Sequence, residues 1–441
     1  MNVDRIASDE TLPASAEAVI IGGGIAGISA ALELQARGLQ VVVVEKGEVA
    51  AEQSSRNWGW CRQMGRDTRE IPLILESMRL WREMNSTIQG DTGFRTCGIA
   101  YLAESEEEAA KYERWLIDHA KPAGIESRMI SGAELDRVVP AAAARFKAAL
   151  YTPSDGRAEP FIAVPAMARA FQKRGGLVFT QTAARGIETT AGRVSAVVTE
   201  RGTIKTSLVL LAGGYWSRHF LANLAIDFPQ LGVLAPVQRT TPLENGHATT
   251  FSGGKFTARK RADGGFTVTH NHLSVAEITP AHFKYFADFW PMLKLEWRGF
   301  RFRLGQRFLD EARLKKTWKL DERTPFEEMR ILDPEPAHGI LDEALTALKT
   351  YFPAFAPVQV AGRWAGIIDA APDAVPVIAP VLAQPGLFLS SGYSGHGFGL
   401  GPGAGKLMAQ LMLGEQSCVD PAPFRFERFR DGTRSVPTTG V

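Results

Sequence analysis

Short apolar runs alternate with longer amphipathic stretches towards both ends of the chain. Residues 18–21 and 40–44 are mostly apolar runs, and a helical pattern that ends near Arg37 lies between them. Apolar runs of this length, bounded by turn residues, are typical of buried parallel strands. The pattern predicts a strand–helix–strand unit, the building block of a doubly wound sheet.

The same alternation continues further along the chain. The predicted helices cover residues 70–90, 161–173 and 403–413, and the predicted strands cover 177–180, 207–214 and 387–391. Residues 187–206 have the alternation and the central Ala-Gly turn of a hairpin. Two intervening regions mix short strands with charged or basic aromatic stretches, which predicts a second domain inserted twice into the first.

Three glycines follow the first predicted strand in G-x-G-x-x-G spacing, at Gly22, Gly24 and Gly27. The first permits a tight turn, the second lets the backbone approach a pyrophosphate, and the third lets the helix pack closely on the strand. The helix N-terminus then offers free N–H groups and a positive dipole end to phosphate. Glu45 ends the second strand, where a carboxylate accepts hydrogen bonds from ribose hydroxyls. Together these features predict a dinucleotide site, with a ligand-free glycine turn as the alternative.

A second glycine-rich stretch covers residues 390–412. Glycines at 395, 397, 399, 401 and 403 predict a loop whose backbone amides are accessible before a helix begins. Such a loop, with a helix dipole behind it, presents N–H groups to an electron-rich ring edge. His396 is the one titratable group inside this loop, and a structural hydrogen bond is its alternative role. The buried strand that ends at Ala212 and Gly213 predicts another close approach to the dinucleotide.

Composition narrows the class of protein. With 441 residues, of which 45% are apolar, the chain is long enough for two interleaved domains with a sizeable core. The net charge of +2 argues against a nucleic-acid partner. Three sparse cysteines predict a reducing compartment without disulfides, and no metal-binding spacing is present. We find no signal-peptide or membrane-spanning pattern, which predicts a cytoplasmic protein.

Several stretches resemble the glycine oxidase/D-amino-acid oxidase family of FAD enzymes. They are the first strand–helix–strand unit with Glu45-Lys46, LAGGYWS (211–217), W-A-G (364–366), DAVPVI (373–378) and GYSGHGFGLGPG (392–403). Within that family the chain is most similar to bacterial membrane-associated L-amino-acid deaminases, for example in VVEKGEVAAEQSSR (43–56) and LWREMN (80–85). The resemblance covers essentially the whole chain.

This resemblance implies FAD rather than NAD in the glycine-turn site. It also implies an α/β fold, in which a Rossmann-like FAD-binding domain of the glutathione-reductase type is interleaved with an antiparallel-sheet substrate domain. The FAD-binding domain would comprise residues 1–90, 155–228 and 362–441. The substrate-binding domain would comprise 91–154 and 229–361, with a basic aromatic helical segment inserted at about 280–330.

The resemblance also implies which residues hold the cofactor. Glu45 and its neighbours would bind the ADP half, Ala184 would meet the adenine through its backbone, and the amides of 395–400 would surround the flavin pyrimidine edge. The implied cofactor contacts are Gly22, Gly24, Ile25, Ala26, Gly27, Glu45, Lys46, Ser54, Ser55, Arg56, Trp58, Gly59, Trp60, Ala184, Ala212, Gly213, Trp216, Gly366, Gly395, His396, Gly397, Phe398, Gly399 and Leu400.

Four positions depart from the family's pattern. Gly366 stands where sarcosine-oxidase relatives carry a flavin-bonded cysteine, so we expect non-covalent FAD. Ile368 stands where glycine-oxidase relatives carry a carboxylate-binding arginine, and Gly399 stands where sarcosine-oxidase relatives carry a lysine. Asn271 lies near the position of the deaminases' arginine. A substrate carboxylate therefore needs another cation here, or the substrate has no carboxylate.

The loop NWGWCRQMGRD (57–67) offers two such cations, Arg62 and Arg66. A planar, always-charged guanidinium suits bidentate carboxylate capture, and pairing with surface acids is the alternative. Trp58 and Trp60 predict an aromatic wall for the substrate or, alternatively, core packing. The candidate catalytic residues are His396, Arg62 and Arg66. The candidate substrate contacts are Trp60, Arg62, Arg66, Asn271, Ile368 and Tyr393.

Residues 283–319, which we call the basic aromatic segment, contain ten Lys or Arg, four acids and ten aromatic residues. Such a segment suits peripheral contact with an anionic membrane on its inner face. In the similar deaminases an extra module of this kind is linked to membrane association. The alternative is a lid or a dimer-contact helix pair, so both monomer and homodimer stay open.

These patterns predict FAD-dependent oxidation of a C–N bond in an amine or amino acid. A hydride would pass to flavin, and the imine would hydrolyse to a carbonyl compound and ammonia or a smaller amine. Oxygen or a quinone would then accept the electrons. Two alternatives remain open: oxidation of a 2-hydroxy acid with His270 or His272 as base, and a flavin subunit of a larger oxidase complex.

Overall fold

The computed structural model describes residues 3–433 and 437 of the chain. The strands are β1 (Ala18–Ile21), β2 (Val41–Val44), β3 (Trp60–Cys61), β4 (Arg95–Thr96), β5 (Ile99–Ala103), β6 (Arg128–Ile130), β7 (Ala148–Thr152), β8 (Gly156–Arg157), β9 (Leu177–Phe179), β10 (Ala184–Thr190), β11 (Arg193–Thr199), β12 (Gly202–Lys205), β13 (Val209–Leu211), β14 (Leu231–Thr240), β15 (Thr250–Gly253), β16 (Phe256–Lys260), β17 (Phe266–Thr269), β18 (Ser274–Ile278), β19 (Phe300–Leu304), β20 (Val360–Ala370), β21 (Val377–Pro380) and β22 (Leu387–Ser391). The α-helices are α1 (Ile25–Ala36), α2 (Gln53–Arg56), α3 (Ile71–Ile88), α4 (Glu106–Trp115), α5 (Gly132–Val138), α6 (Pro160–Lys173), α7 (Ser217–Asn223), α8 (Pro280–Lys284), α9 (Phe286–Glu296), α10 (Gln306–Arg313), α11 (Pro325–Glu328), α12 (His338–Tyr351) and α13 (Gly397–Leu413).

A six-stranded sheet in the order β21-β22-β13-β1-β2-β9 forms the first layer, and all its neighbours are parallel except β21 and β22. Side chains alternate between its two faces, as the pleat requires. Ile20 and Val43 belong to a core cluster with α1, α3, α6 and α13. Val19 and Val42 belong to a second cluster with the sheet β10-β11-β12. Because both faces are covered, these strands are apolar throughout, which explains why the sequence pattern predicted them.

A ten-stranded, mainly antiparallel sheet forms the second layer, in the order β19-β18-β14-β17-β16-β15-β5-β7-β6 with β20 paired to β14. Two pairs in it, β5 with β15 and β18 with β19, are parallel. Its apolar face packs on α12 through a cluster of phenylalanines that includes Phe251, Phe256 and Phe352. The predicted α/β class is confirmed. The predicted domain boundaries stay a prediction.

Helix α13 begins earlier than the sequence indicated. We expected residues 395–403 to form a loop, whereas the helix starts at Gly397 and includes the later glycines. These glycines serve packing, because a Cβ at Gly401 would lie 2.2 Å from Cγ1 of Ile25 in α1. The helices α1 and α13 are therefore closely packed, and both direct their N-termini to the same region of the molecule.

We expected the basic aromatic segment to be helical, but only part of it forms helices. It contains α9 and α10 but also β19, which pairs in parallel with β18 at the edge of the ten-stranded sheet. Sequence periodicity missed this strand because its residues are charged or exposed on both faces. Among the described helices, none is long and apolar enough to cross a membrane.

Candidate active site

One elongated cavity runs between the two sheets. Its walls come from the turn after β1, the segment after β2, the ends of β13 and β20, and the N-terminal turn of α13. In an open α/β sheet, ligands bind beyond the carboxyl ends of the strands. The cavity therefore lies where the fold places a ligand, and distant segments of the chain meet in it.

The glycine turn forms one end of this cavity. Gly24 precedes α1, and the N–H of Ile25 donates to Oγ of Ser54 at 2.8 Å. Gly27 must lack a side chain, because a Cβ there would lie 2.1 Å from the carbonyl oxygen of Gly22. Gly22 lies equally close to the end of β13 at Ala212. The N-terminus of α1 thus lines the cavity, with the hydroxyl of Ser54 on the N–H of Ile25, at a position that suits pyrophosphate binding.

Glu45 lies beside this turn at the end of β2. Its carboxylate accepts hydrogen bonds from the backbone N–H groups of Gly23 and Gly47, both at 2.7 Å. Burial raises the pKa of Glu45, while Lys46 and the two amides oppose that shift. One backbone donor holds each oxygen of the carboxylate at the cavity wall. This is the arrangement that holds a ribose diol.

Lys46 and Trp216 line the wall next to Glu45. The ammonium of Lys46 lies 4.7 Å above the Trp216 ring and pairs with Glu52 at 2.6 Å. The indole N–H of Trp216 donates to the same carboxylate at 3.0 Å. Glu52, which the sequence did not indicate, also lines the cavity and contacts both of these predicted cofactor residues.

A segment that the sequence analysis missed also lines this end of the cavity. Residues 325–333, which we call the covering segment, contribute Phe326 and Arg330 to the cavity wall. Lys46 donates to the carbonyl oxygens of Met329 and Arg330 at 2.9 Å, and the N–H of Leu332 donates to Glu52 at 3.0 Å. The Thr324–Glu327 capping box was a signal for the short helix α11 but carried no sign of its partner.

The first turn of α13 and the residues before it form another part of the cavity wall, where Gly395, His396, Gly397, Phe398 and Gly399 all line it. The carbonyl of Gly399 accepts hydrogen bonds from Oγ of Ser77 at 2.7 Å and Nε1 of Trp81 at 2.9 Å. Helix α3 therefore fixes the position of this turn. Its N–H groups and dipole favour negative charge in the cavity.

Arg62 and Arg66 line the cavity near this turn. Arg66 is buried, and burial together with the neighbouring charge of Arg62 lowers its pKa to about 10, so it stays charged at neutral pH. Its Nη1 has no hydrogen-bond partner among the described residues. Arg62 donates to the carbonyl of Met64, and within the described chain no carboxylate pairs with it. Two guanidinium groups are therefore available to a ligand.

Arg66 and His396 share one buried carboxylate, that of Glu70. Glu70 is fully buried, and its Oε2 lies 2.9 Å from Nδ1 of His396 and 3.8 Å from Nη1 of Arg66. Burial lowers the pKa of His396, and the charges of Arg66 and Arg62 act in the same direction, against Glu70. The imidazole is therefore neutral at pH 7.

Aromatic rings complete this end of the cavity. Trp58 and Trp60 line it, with ring centroids 5.6 Å apart, and Trp60 lies 6.0 Å from Tyr101. Trp60 is buried, and its indole N–H has no hydrogen-bond partner among the described residues. These tryptophans thus both pack in the core and line the cavity, and the indole N–H of Trp60 is an unpaired donor among the described residues.

The structure brings most of the predicted site residues to this cavity. Those that line it are Gly22, Gly24, Ile25, Ala26, Glu45, Lys46, Ser54, Arg56, Trp58, Trp60, Arg62, Arg66, Ala184, Ala212, Gly213, Trp216, Ile368, Tyr393, Gly395, His396, Gly397, Phe398 and Gly399. Those that lie behind its wall or away from it are Gly27, Ser55, Gly59, Asn271, Gly366 and Leu400. Most of the lining residues come from the ends of strands, the segment 45–56, the start of α1 or α13, or the loop 57–67.

Several candidates for other roles lie outside the cavity. His270 is buried and accepts two backbone N–H groups at its Nδ1, while His272 is exposed, and neither lines the wall. Within the described residues no cysteine lines it either, since Cys61, Cys97 and Cys418 lie elsewhere. Among the described residues, His396 is therefore the histidine that lines the cavity, and Arg62 and Arg66 line it as well.

A family model described as DAO, FAD dependent oxidoreductase, matches residues 17–411. The chain belongs to this family. FAD is therefore its cofactor, and a cavity lined by the glycine turn, Glu45 and the first turn of α13 suits a molecule with a ribose, a pyrophosphate and a flavin. The predicted resemblance to the glycine oxidase/D-amino-acid oxidase family is confirmed.

Relatives in this family agree with that assignment. L-amino acid deaminase from Proteus myxofaciens, solved in complex with anthranilate, is 32% identical, with a TM-score of 0.93 over 97% of this chain and 96% of its own. The deaminase from Proteus vulgaris is 34% identical, with a TM-score of 0.92 over 96% of this chain and 100% of its own. Glycine oxidase from Pseudomonas aeruginosa is 25% identical and covers 93% of this chain and 98% of its own length.

Proposed function

We propose that this oxidoreductase oxidises the C–N bond of an α-amino acid and holds the substrate's carboxylate with Arg62 and Arg66. The observation that carries the proposal is the position of two available guanidinium groups in the same cavity as the FAD site. The buried N–H of Trp60 supplies a further unpaired donor. Guanidinium groups with free donors in a water-poor site favour a bound carboxylate strongly.

FAD, when bound, supplies the hydride acceptor. The chain's own residues orient the substrate, because a carboxylate held by Arg62 and Arg66 fixes the direction of the neighbouring Cα–H bond. Trp58 and Trp60 exclude water from this region. The amides at the start of α13 stabilise the negative charge that develops on reduction.

The products follow from the balance of the reaction. The α-carbon loses a hydride and the nitrogen loses a proton, which leaves an imine. Water then adds to the imine carbon and releases a 2-oxo acid and ammonia or an amine. Oxidation of a 2-hydroxy acid would need a base near the flavin. Neither His270 nor His272 lines the cavity, so that role would fall to His396 in its wall.

We expect amino acids to bleach the flavin of the holoenzyme under anaerobic conditions. Three compounds that share one side chain make the comparison sharp: phenylalanine in both enantiomers, phenethylamine and phenyllactate. The amine lacks the carboxylate, so its rate constant for bleaching at low concentration should fall about 100-fold or more below that of the preferred enantiomer. Stopped-flow absorbance measures these rates, and N-methyl and cyclic amino acids extend the panel. Bleaching by phenyllactate alone would contradict the proposal, and a flavin that no compound reduces would favour a subunit of a larger complex.

We also propose that FAD is bound without a covalent link. Gly366 has no side chain to form one, and the three cysteines lie away from the cavity. Hydrogen bonds and helix dipoles at both ends of the cavity supply the binding instead.

We propose, further, that the basic aromatic segment contacts an anionic membrane surface and that a membrane quinone accepts the electrons. Eight of the thirteen exposed large hydrophobic side chains in the described residues lie in this segment, among them Trp297 and Leu304, which are 56% and 72% exposed. Arg298 and Arg301 lie among them. Apolar side chains interleaved with cations are typical of helices and strands that lie in a membrane interface.

Serine at both Trp297 and Leu304 should weaken binding to anionic vesicles about 10-fold or more. Each large apolar side chain contributes about 1.5–3 kcal/mol when it is buried from water. Cosedimentation with phosphatidylglycerol vesicles measures the effect, and oxidation of amino acids in solution serves as the control for folding. Leu382→Ser is the matched variant, because Leu382 is 65% exposed but lies outside the segment. Equal binding by all three proteins would favour a lid or dimer contact.

A further inference from the structure

The carboxylate of Glu70 lies between the side chains of His396 and Arg66. It is 2.9 Å from Nδ1 of His396 and 3.8 Å from Nη1 of Arg66. Both partners line the cavity, whereas Glu70 itself does not. The turn before α3 fixes Glu70, because its N–H donates to the carbonyl of Asp67 and its carbonyl accepts from Ile74. One buried carboxylate therefore serves two groups that a ligand can reach.

The two contacts differ in strength. Nδ1 of His396 is hydrogen-bonded to Oε1 of Glu70 at 3.2 Å and lies 2.9 Å from Oε2, whereas the 3.8 Å between Oε2 and Nη1 of Arg66 is too long for a hydrogen bond. Nη1 of Arg66 accordingly has no hydrogen-bond partner among the described residues. Arg66 is free to turn its donors to a ligand while His396 keeps its contact with Glu70.

We propose that Glu70 is a positioning residue that couples carboxylate binding at Arg66 to protonation of His396. This proposal rests on the proposed function, because it takes a carboxylate ligand at Arg66 as given. The groups that face His396 are Glu70 from the start of α3, Arg66 and Arg62 from the loop before it, and the ring of Tyr393. Without a ligand, the two guanidinium charges disfavour an imidazolium.

A carboxylate bound at Arg66 offsets the guanidinium charges that disfavour the imidazolium of His396. Glu70 then faces His396 with its full charge, and a proton from solvent is favoured on Nε2, since Nδ1 already carries the hydrogen shared with Glu70. The resulting positive charge lies at the N-terminus of α13, the end of the cavity where negative charge develops during oxidation of the substrate. Binding of the substrate's carboxylate at Arg66 thereby favours a positive charge at the place where negative charge develops.

The change in the pKa of His396 on binding decides whether the ligand binds more tightly or more weakly as the pH falls. Burial and the arginines lower this pKa in the free protein, and the ligand raises it. Between the two values the complex carries one more proton than the free protein, so binding tightens as the pH falls through this window. The Kd of a carboxylate ligand should therefore decrease by up to about tenfold per pH unit as the pH falls from the pKa of His396 in the complex towards its lower pKa in the free protein.

The experiment titrates the holoenzyme of each variant with anthranilate and follows the flavin absorbance. Calorimetry in buffers of different ionisation enthalpy counts the protons taken up. Wild type should take up as much as one proton, whereas Glu70→Gln and His396→Asn should show a Kd that does not vary with pH in this range. Glu70→Asp should restore part of the variation, because the charge returns. Glu76→Gln is the matched control, since Glu76 lies on α3 but pairs with Arg79 and Lys406.

Two results would overturn the coupling. One is a wild-type Kd that does not change with pH, and the other is a Glu70→Gln protein that binds more weakly but keeps the wild-type variation. FAD content and thermal unfolding check each variant, and His396→Asn decides alone if Glu70→Gln does not fold. Failure of the proposed function looks different, because then no amino acid bleaches the flavin, while the linkage concerns binding without turnover.

Discussion

Gly27→Ala is expected to yield a protein that purifies without the yellow colour of FAD. A Cβ at this position would lie 2.1 Å from the carbonyl oxygen of Gly22 and 3.2 Å from the side chain of Ile20. Backbone atoms of the turn cannot give way as a flexible side chain does. Either α1 moves away from β1 or the turn opens, and in both cases the N–H groups at the start of α1 no longer meet the pyrophosphate.

The expected loss is at least 100-fold in FAD affinity, which corresponds to about 2.7 kcal/mol or more. Acid precipitation followed by absorbance of the supernatant measures the FAD content, and wild type should release all of its flavin if the link is non-covalent, as we propose. Gly339→Ala is the control, because a Cβ at Gly339 would meet nothing within 4 Å. A Gly27→Ala protein with full FAD content would contradict our description of the turn.

Arg66→Met is expected to lower kcat/KM for amino acids about 100- to 1,000-fold, mainly through KM. Removal of one partner of a buried, hydrogen-bonded charge pair costs about 2–5 kcal/mol. The carboxylate contact is equal in the ground and transition states, so its loss raises KM more than it lowers kcat. Methionine keeps the volume of the arginine stem in the buried site.

Steady-state kinetics with phenylalanine and phenethylamine separates the roles of Arg66. The amine has no carboxylate, so its kcat/KM should change less than fivefold, which removes the discrimination between the two compounds. Arg79→Met is the matched control, because Arg79 is exposed on α3 and pairs with Glu76 and Glu83. An unchanged KM in both Arg66→Met and Arg62→Met would show that these arginines do not hold the substrate. A parallel loss of FAD would assign Arg66 to the cofactor.

The first strand–helix–strand unit was predictable almost residue by residue. Strand β1 spans Ala18–Ile21 and α1 ends at Ala36, as the pattern indicated. Prediction works here because the signals are local: a buried parallel strand is apolar on both faces, and the glycines are required by contacts within the unit itself. The same holds for β22 at Leu387–Ser391.

The start of α13 was not predictable from local signals. Glycine at alternate positions is typical of a loop, because glycine lowers helix stability by about 1 kcal/mol per residue. The structure places these glycines in a helix, since Gly401 and Gly405 allow close contact with Ile25 and Ser29 of α1. A contact between segments almost four hundred residues apart leaves no trace in the spacing of one segment.

The candidate site likewise has features that the sequence predicted and features that it did not. The loop 57–67 showed that Arg62 and Arg66 were available, but not that Glu70 lies fully buried behind Arg66 and contacts His396. Asn271 shows the reverse case, because the predicted substrate contact lies outside the cavity. Phe326 and Arg330 carried no signal at all, since their role depends on where the covering segment crosses the molecule.

The sequence alone determined the cofactor class, and it predicted the position of the pyrophosphate turn and the absence of the familiar carboxylate anchors at Ile368 and Gly399. These depend on residue type and on short spacings, which a chain displays without folding. Only the tertiary structure decided which cations face the cavity, which carboxylate they share and which segment covers the adenine end. Those are distances between segments remote in the chain, and they are set by the packing of two sheets and four helices around one cavity.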